Sequence, residues 1–117
     1  MIEVLGIDNV LHAVGDLEGA KRFYAGQLGL TLKFEVAEAG IALYRLGTEE
    51  PGLLLRRQEP APPRVWLEVP DAQAAASQLR GQAREVQTGW VVEVTDPWGN
   101  VIGLTDYAKR PELGRRR

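Results

Sequence analysis

One histidine, no cysteine and scattered carboxylates bound the chemistry this chain can do. With zero cysteines among 117 residues, disulfides, thiol nucleophiles and thiolate metal sites are excluded together. Catalysis would have to run on oxygen or imidazole groups, and His12 is the only imidazole. Ser77 lies in an alanine-rich helical stretch with no histidine beside it, and neither a nucleophile elbow nor a phosphate-cradling glycine loop is present. Glu68 with Glu93 or Asp106 has the chemistry of an acid and base pair, but no spacing joins them in one site.

Arg64, Trp66 and Glu68 have more to offer, because they alternate along one apolar run and so share a strand face. A guanidinium can hold a carboxylate or phosphate by two parallel charge-assisted contacts. An indole can stack on a planar ring or attract a cation. Two readings stand side by side: Arg64 and Trp66 meet a small molecule, or Arg64 pairs internally with Glu68 while Trp66 fills the interior or an interface.

The elements that must carry these residues recur in order. Asn9 to Val14 reads as a strand, and Asp16 as the N-cap of a helix from Leu17 to Leu28 closed by Gly29. Leu17, Ala20, Tyr24 and Leu28 form its apolar stripe. Strands are expected at Thr31 to Val36, Ile41 to Leu46 and Leu53 to Arg57. After the proline-rich 59–63, which neither helix nor ladder accommodates, the order repeats: strand Val65 to Val69, helix Ala72 to Leu79 behind Asp71, and strands Arg84 to Gln87, Trp90 to Val94 and Val101 to Leu104. Asp96-Pro97-Trp98-Gly99-Asn100 joins the last two as a tight hairpin, with Trp98 exposed on it. Asp16 and Asp71 are 55 positions apart, so the chain reads as two βαβββ modules in tandem. The expected organisation is one α+β domain over 1–117, with modules at 7–58 and 64–106, a linker at 59–63 and a tail at 107–117.

Composition agrees with an ordinary globular chain. Apolar residues make up 44% and charged residues 26%, which removes disordered and collagen-like classes. No apolar run approaches a membrane span, and no signal pattern opens the chain; a cytoplasmic location is expected, without membrane partners. The formal charge of −2 is uneven, since Lys109, Arg110, Arg115, Arg116 and Arg117 oppose only Glu112 at the end of the chain. Basic and aromatic residues do not interleave there as nucleic-acid binding needs. The tail is expected to be a solvated, frayed end.

The repeated modules, the helix carrying Phe23-Tyr24 and Leu28-Gly29-Leu30, and the Asp96-Pro97-Trp98-Gly99-Asn100 hairpin resemble the vicinal oxygen chelate superfamily of glyoxalases, extradiol dioxygenases, fosfomycin-resistance enzymes and bleomycin-binding proteins. The resemblance covers residues 7 to 106. It implies an incomplete barrel with a central cleft, commonly a homodimer, and in the enzymes a divalent metal held by the first and last strands of each module. Seven residues before Asp16 and Asp71, the first-strand ligand positions are Asn9 and Arg64. The last-strand positions are Gly103 and Leu55, with a one-residue uncertainty that would substitute Leu54 or Arg56.

A hard divalent ion needs oxygen or nitrogen lone pairs, usually from at least two carboxylates or imidazoles. An amide, an aliphatic chain, a guanidinium and a glycine do not supply them, so no metal and no cofactor is expected. His12 alternates with Asn9 and so points away from the cleft. The expected cleft residues are Asn9, Leu11, Tyr44, Leu55, Arg64, Trp66, Glu68, Trp90, Gly103 and Thr105, an apolar and aromatic trough with sparse polar anchors. The expected function is metal-independent binding of a small aromatic or anionic compound, with no catalytic residue assigned. The alternative is a glyoxalase- or dioxygenase-like metalloenzyme with displaced ligands such as His12, Glu68, Glu93 or Asp106.

Overall fold

The computed structural model describes residues 1–115. Two compact units divide the chain, one formed by residues 9–63 and the other by residues 1–8 together with the chain from Arg64 onward. The first eight residues thus belong with the second half.

In the first unit, strand β1 (Gly6–Val14), which enters it at Asn9, leads into helix α1 (Leu17–Lys21), followed by β2 (Thr31–Val36), β3 (Ile41–Leu46) and β4 (Glu49–Arg57). The sheet order is β2-β3-β4-β1, antiparallel except for the parallel pairing of β1 with β4. Val10, Val14, Leu17, Ala20 and Tyr24 pack against Ala42, Tyr44, Leu53 and Leu55, so one sheet face lies under the helix.

Two local expectations are corrected in this unit. Asp16 stands at the N-cap with extended backbone, but its side chain makes no capping hydrogen bond; the carboxylate lies over Gly19, where a Cβ would come within 2.7 Å of it. The helix also does not run regularly to Leu28. From Arg22 to Gln27 it widens into a π-helical turn, with the Leu28 N–H donating to the Phe23 carbonyl at 3.0 Å. The extra residue per turn shifts the apolar stripe: Tyr24 stays against the sheet and Leu30 joins it, while Phe23 and Leu28 are exposed.

The second unit repeats the plan. Strand β5 (Arg64–Glu68) precedes helix α2 (Ala72–Leu79), then β6 (Arg84–Val86), β7 (Gly89–Thr95) and β8 (Val101–Thr105), with sheet order β5-β8-β7-β6. Here the cap forms as expected, Asp71 accepting the Ala74 N–H at 3.1 Å. The helix buries Ala72, Ala75 and Ala76 against Val69, Val92 and Leu104, flanked by Leu67, Trp90, Val94 and Ile102. Small side chains on α2 let its backbone lie close to the sheet. Asp106, just beyond β8, is buried and accepts from the N–H groups of Ala72 at 2.8 Å, Trp90 at 2.9 Å and Ala108 at 3.1 Å. One carboxylate therefore ties the start of α2, the edge of β7 and the chain after β8 together.

That following chain is not frayed. Tyr107 is buried and its hydroxyl donates to the Asp8 carboxylate at 2.8 and 3.0 Å. A short 3₁₀ turn over Pro111–Leu113 then carries Arg115 back to Glu68. The expectation of a frayed end is thus corrected at Tyr107 and at Arg115, while Ala108 to Glu112 between them are exposed to solvent as expected; Arg116 and Arg117 lie outside the described residues.

Candidate functional site

Strand alternation decides which face each candidate occupies. Leu67 on β5 and Val69 just after it pack under α2, so Arg64, Trp66 and Glu68 point to the helix-free face. Trp66 pairs with Gly103 and Glu68 with Thr105 across β5 and β8; Glu93 pairs with Gly103 across β7 and β8. The Arg64 Nη1 donates to Glu93 Oε2 at 2.8 Å, and the Trp66 Nε1–H reaches the same oxygen at 3.2 Å. A single carboxylate oxygen thus fixes both the cation and the indole. Arg64 and Glu93 keep 26% and 22% side-chain exposure, so solvent screening holds the pair to about 1 kcal/mol. The internal partner of Arg64 is therefore Glu93, and Glu68 is held by Arg115.

Glu93 was legible as a face-mate of this group. In Trp90-Val91-Val92-Glu93-Val94 the alternation puts Trp90, Val92 and Val94 on one side and Glu93 on the other, and the packing under α2 confirms it. Trp90 is accordingly corrected: it lies against the α2 core and not on the helix-free face.

Gly103 is required by close approach. A Cβ built on it would lie 2.2 Å from Trp66 Cδ1 and 2.4 Å from Nε1. The space above it is filled by an indole that is only 8% exposed. Thr105, beside Glu68, is also buried.

In the unit of residues 9–63, Asn9 and Leu11 are buried on β1, and they alternate with Val10, which packs under α1. Leu55 and Tyr44 are corrected. Leu55 sits opposite His12 and Ala42, and Tyr44 opposite Leu53, which places both in the core beneath α1. Burial raises the Tyr44 phenol above its usual range, so this hydroxyl stays protonated at neutral pH. The one-residue shift exchanges faces, and the helix-free positions of β4 are Leu54 and Arg56. Leu54 stands opposite Leu11 and Leu43, and the Arg56 Nε donates to Gln58 Oε1.

The donor set can now be tested against a metal. Asn9 supplies one neutral amide, Arg64 and Arg56 carry positive charge, Leu54 has no donor, and the indole occupies the space above Gly103. Among the described residues no group of three His, Asp or Glu side chains comes together. Each carboxylate considered as a displaced ligand has other contacts: Glu68 with Arg115, Glu93 with Arg64 and Trp66, Asp106 with three backbone N–H groups. His12 lies on the face of β1 that carries Val10 and Val14 under α1. These residues do not fit a divalent ion.

No protein-family model and no curated protein matches the sequence. Solved structures do. The chain is similar to methylmalonyl-CoA epimerase from Mycobacterium tuberculosis, at 24% identity over 90% of this chain and 89% of that one, with a TM-score of 0.69. It is similar to a glyoxalase/bleomycin resistance protein/dioxygenase superfamily member from Vibrio splendidus 12B01, at 13% identity over 91% and 98%, with a TM-score of 0.60. A variant of homoprotocatechuate 2,3-dioxygenase from B. fuscum matches at 18% identity and a TM-score of 0.64, over 97% of this chain but 37% of that one. The fold is that of the vicinal oxygen chelate superfamily, α+β with two βαβββ modules.

Proposed function

We propose that this chain is a metal-independent protein that binds a small aromatic or anionic compound. The observation that carries the reading is the Arg64, Glu93 and Trp66 group on the helix-free face, fixed through one shared oxygen. Of the five N–H donors of a guanidinium, Glu93 engages one of Arg64 among the described residues. The remaining edge is the fork that matches a carboxylate or phosphate, and Glu93 restricts its rotation before any ligand arrives. The metalloenzyme alternative loses support because its candidate carboxylates make other contacts and His12 lies on the helix-covered face of β1.

The test is a titration of tryptophan fluorescence with a panel of planar monocarboxylates, using the wild type and Arg64→Ala. Saturable quenching that weakens about tenfold or more in the variant, equivalent to ~1.4 kcal/mol, agrees with the proposal. Equal affinity in the two proteins, or no response to any member of the panel, rejects it.

A further inference from the structure

Glu68 is 3% exposed, and a glutamate this deeply covered requires partners for both oxygens. Among the described residues, one residue meets both oxygens. The Arg115 backbone N–H donates to Oε2 at 2.9 Å, Arg115 Nη1 donates to Oε1 at 2.7 Å, and Nη2 reaches past the carboxylate to the Ile7 carbonyl at 2.7 Å. A carboxylate on one edge and a carbonyl on the other match the planar fork of donors that a guanidinium presents.

The surroundings recede to admit that plane. A Cβ on Gly6 would lie 2.7 Å from Arg115 Cζ, and one on Gly114 would lie 2.7 Å from Glu68 Oε2. The receptor half is held without Arg115: the Glu68 carbonyl accepts the Leu5 N–H at 2.8 Å, and β5 and β8 fix the carboxylate beside Thr105. A cavity of about 300 Å³ adjoins the pair, lined by Leu5, Pro70, Tyr107 and Pro111 among others.

The segment that delivers Arg115 is firmly held only up to Lys109, whose N–H donates to the Thr88 carbonyl at 3.1 Å. Beyond it, the backbone N–H groups of Leu113 and Gly114 donate within the segment, to Arg110 and Pro111, that of Arg110 donates back to Tyr107, and Arg110 pairs with Glu112 at the surface. Arg115 can therefore leave Glu68 without opening the sheet.

We propose that Glu68 and the Ile7 carbonyl form a guanidinium-binding site that Arg115 occupies as an internal ligand, and that accepts a small alkylguanidinium when Arg115 is withdrawn. The cavity walled by Leu5, Pro70 and Tyr107 receives the alkyl part. This site is separate in charge and position from Arg64, so it stands or falls independently of the binding function proposed above.

The experiment is rescue of Arg115→Ala by N-ethylguanidinium at millimolar concentration. Removing Arg115 leaves a buried carboxylate without its cation, so the variant is destabilised. At ten times the dissociation constant, ethylguanidinium shifts its folding equilibrium about elevenfold toward the native state, while the wild type and the Glu68→Gln/Arg115→Ala double variant respond much less. A folded Arg115→Ala that ethylguanidinium stabilises no more than it does the double variant overturns the proposal and leaves Arg115 as a tether. Should Arg115→Ala fail to fold, Arg115→Gln, which removes the charge and keeps most of the side-chain bulk, takes its place under the same two criteria.

Discussion

At the scale of single residues, Gly103 and Trp66 contend for one volume, and this couples their substitutions. With a Cβ on Gly103 falling 2.2 Å from the indole, Gly103→Ala is expected to cost about 1–3 kcal/mol through overpacking. Trp66→Ala is expected to cost ~3–5 kcal/mol by emptying a buried site. In the Trp66→Ala background the added methyl has room, so Gly103→Ala should become nearly neutral there. Urea denaturation of the two single variants and the double variant closes the cycle. Strict additivity would mean that the two side chains do not share the space. The sequence announced the Arg64, Trp66 and Glu68 face correctly because alternation on a short strand leaves little freedom. It misplaced Leu55 and Tyr44 because their faces follow from the β4 register, and a one-residue slip exchanges core for open face. Trp90 needed only the same parity rule applied within its own strand, with Glu93 as the polar marker.

At the scale of elements, two carboxylates organise the second unit in different ways. Asp96 accepts the N–H groups of Trp98 and Asn100 and the Asn100 side-chain amide, each at 2.9 Å. The Asn100 amide, with backbone donors behind it, holds the Asp96 carboxyl below its usual range. A folded pKa below the unfolded one gives a contribution that is present above the unfolded value, near 3.9, and lost as pH falls through the folded value. Amide exchange at Trp98 and Asn100 should therefore accelerate on acidification below about pH 4 more than acid catalysis alone requires. Asp96→Ala should remove that excess; an identical pH profile in the variant would deny Asp96 the role. Asp106 is the buried counterpart. Asp106→Ala would strand the Ala72, Trp90 and Ala108 N–H groups, and at ~1–3 kcal/mol for a buried unsatisfied donor the expected loss is at least about 2 kcal/mol by chemical denaturation. A loss below about 0.5 kcal/mol would mean that other groups satisfy those donors.

Among the elements, Thr31–Val36, Ile41–Leu46 and Ala72–Leu79 have the ends that periodicity and turn residues suggest. The π-helical turn after α1 was not legible, because the same stretch of apolar spacing fits a regular helix until the extra residue is known. Nor was the docking of Tyr107 to Arg115 legible. Its composition is that of a solvated end, and its order comes from Asp8 and Glu68, 99 and 47 positions away in sequence.

At the scale of the whole molecule, no helix among the described residues is long and apolar enough to cross a membrane, and the fold matches solved structures across nearly the full chain. The two βαβββ modules present non-donor side chains at most of the positions that the resemblance assigns to a metal. Those positions hold a cation at Arg64, a bare backbone at Gly103 with an indole laid over it, and Leu54 or Arg56 on β4. Each of them disfavours a divalent ion by charge, by lack of lone pairs or by occupied volume.

The most direct measurement of that substitution is isothermal titration of the chelator-treated protein with Zn²⁺, Mn²⁺, Co²⁺ and Ni²⁺, read together with elemental analysis of protein purified without chelator. The expected result is no saturable one-to-one binding and no stoichiometric metal after purification. One equivalent of metal held tightly, and lost in Asn9→Ala or Glu93→Ala, would contradict it.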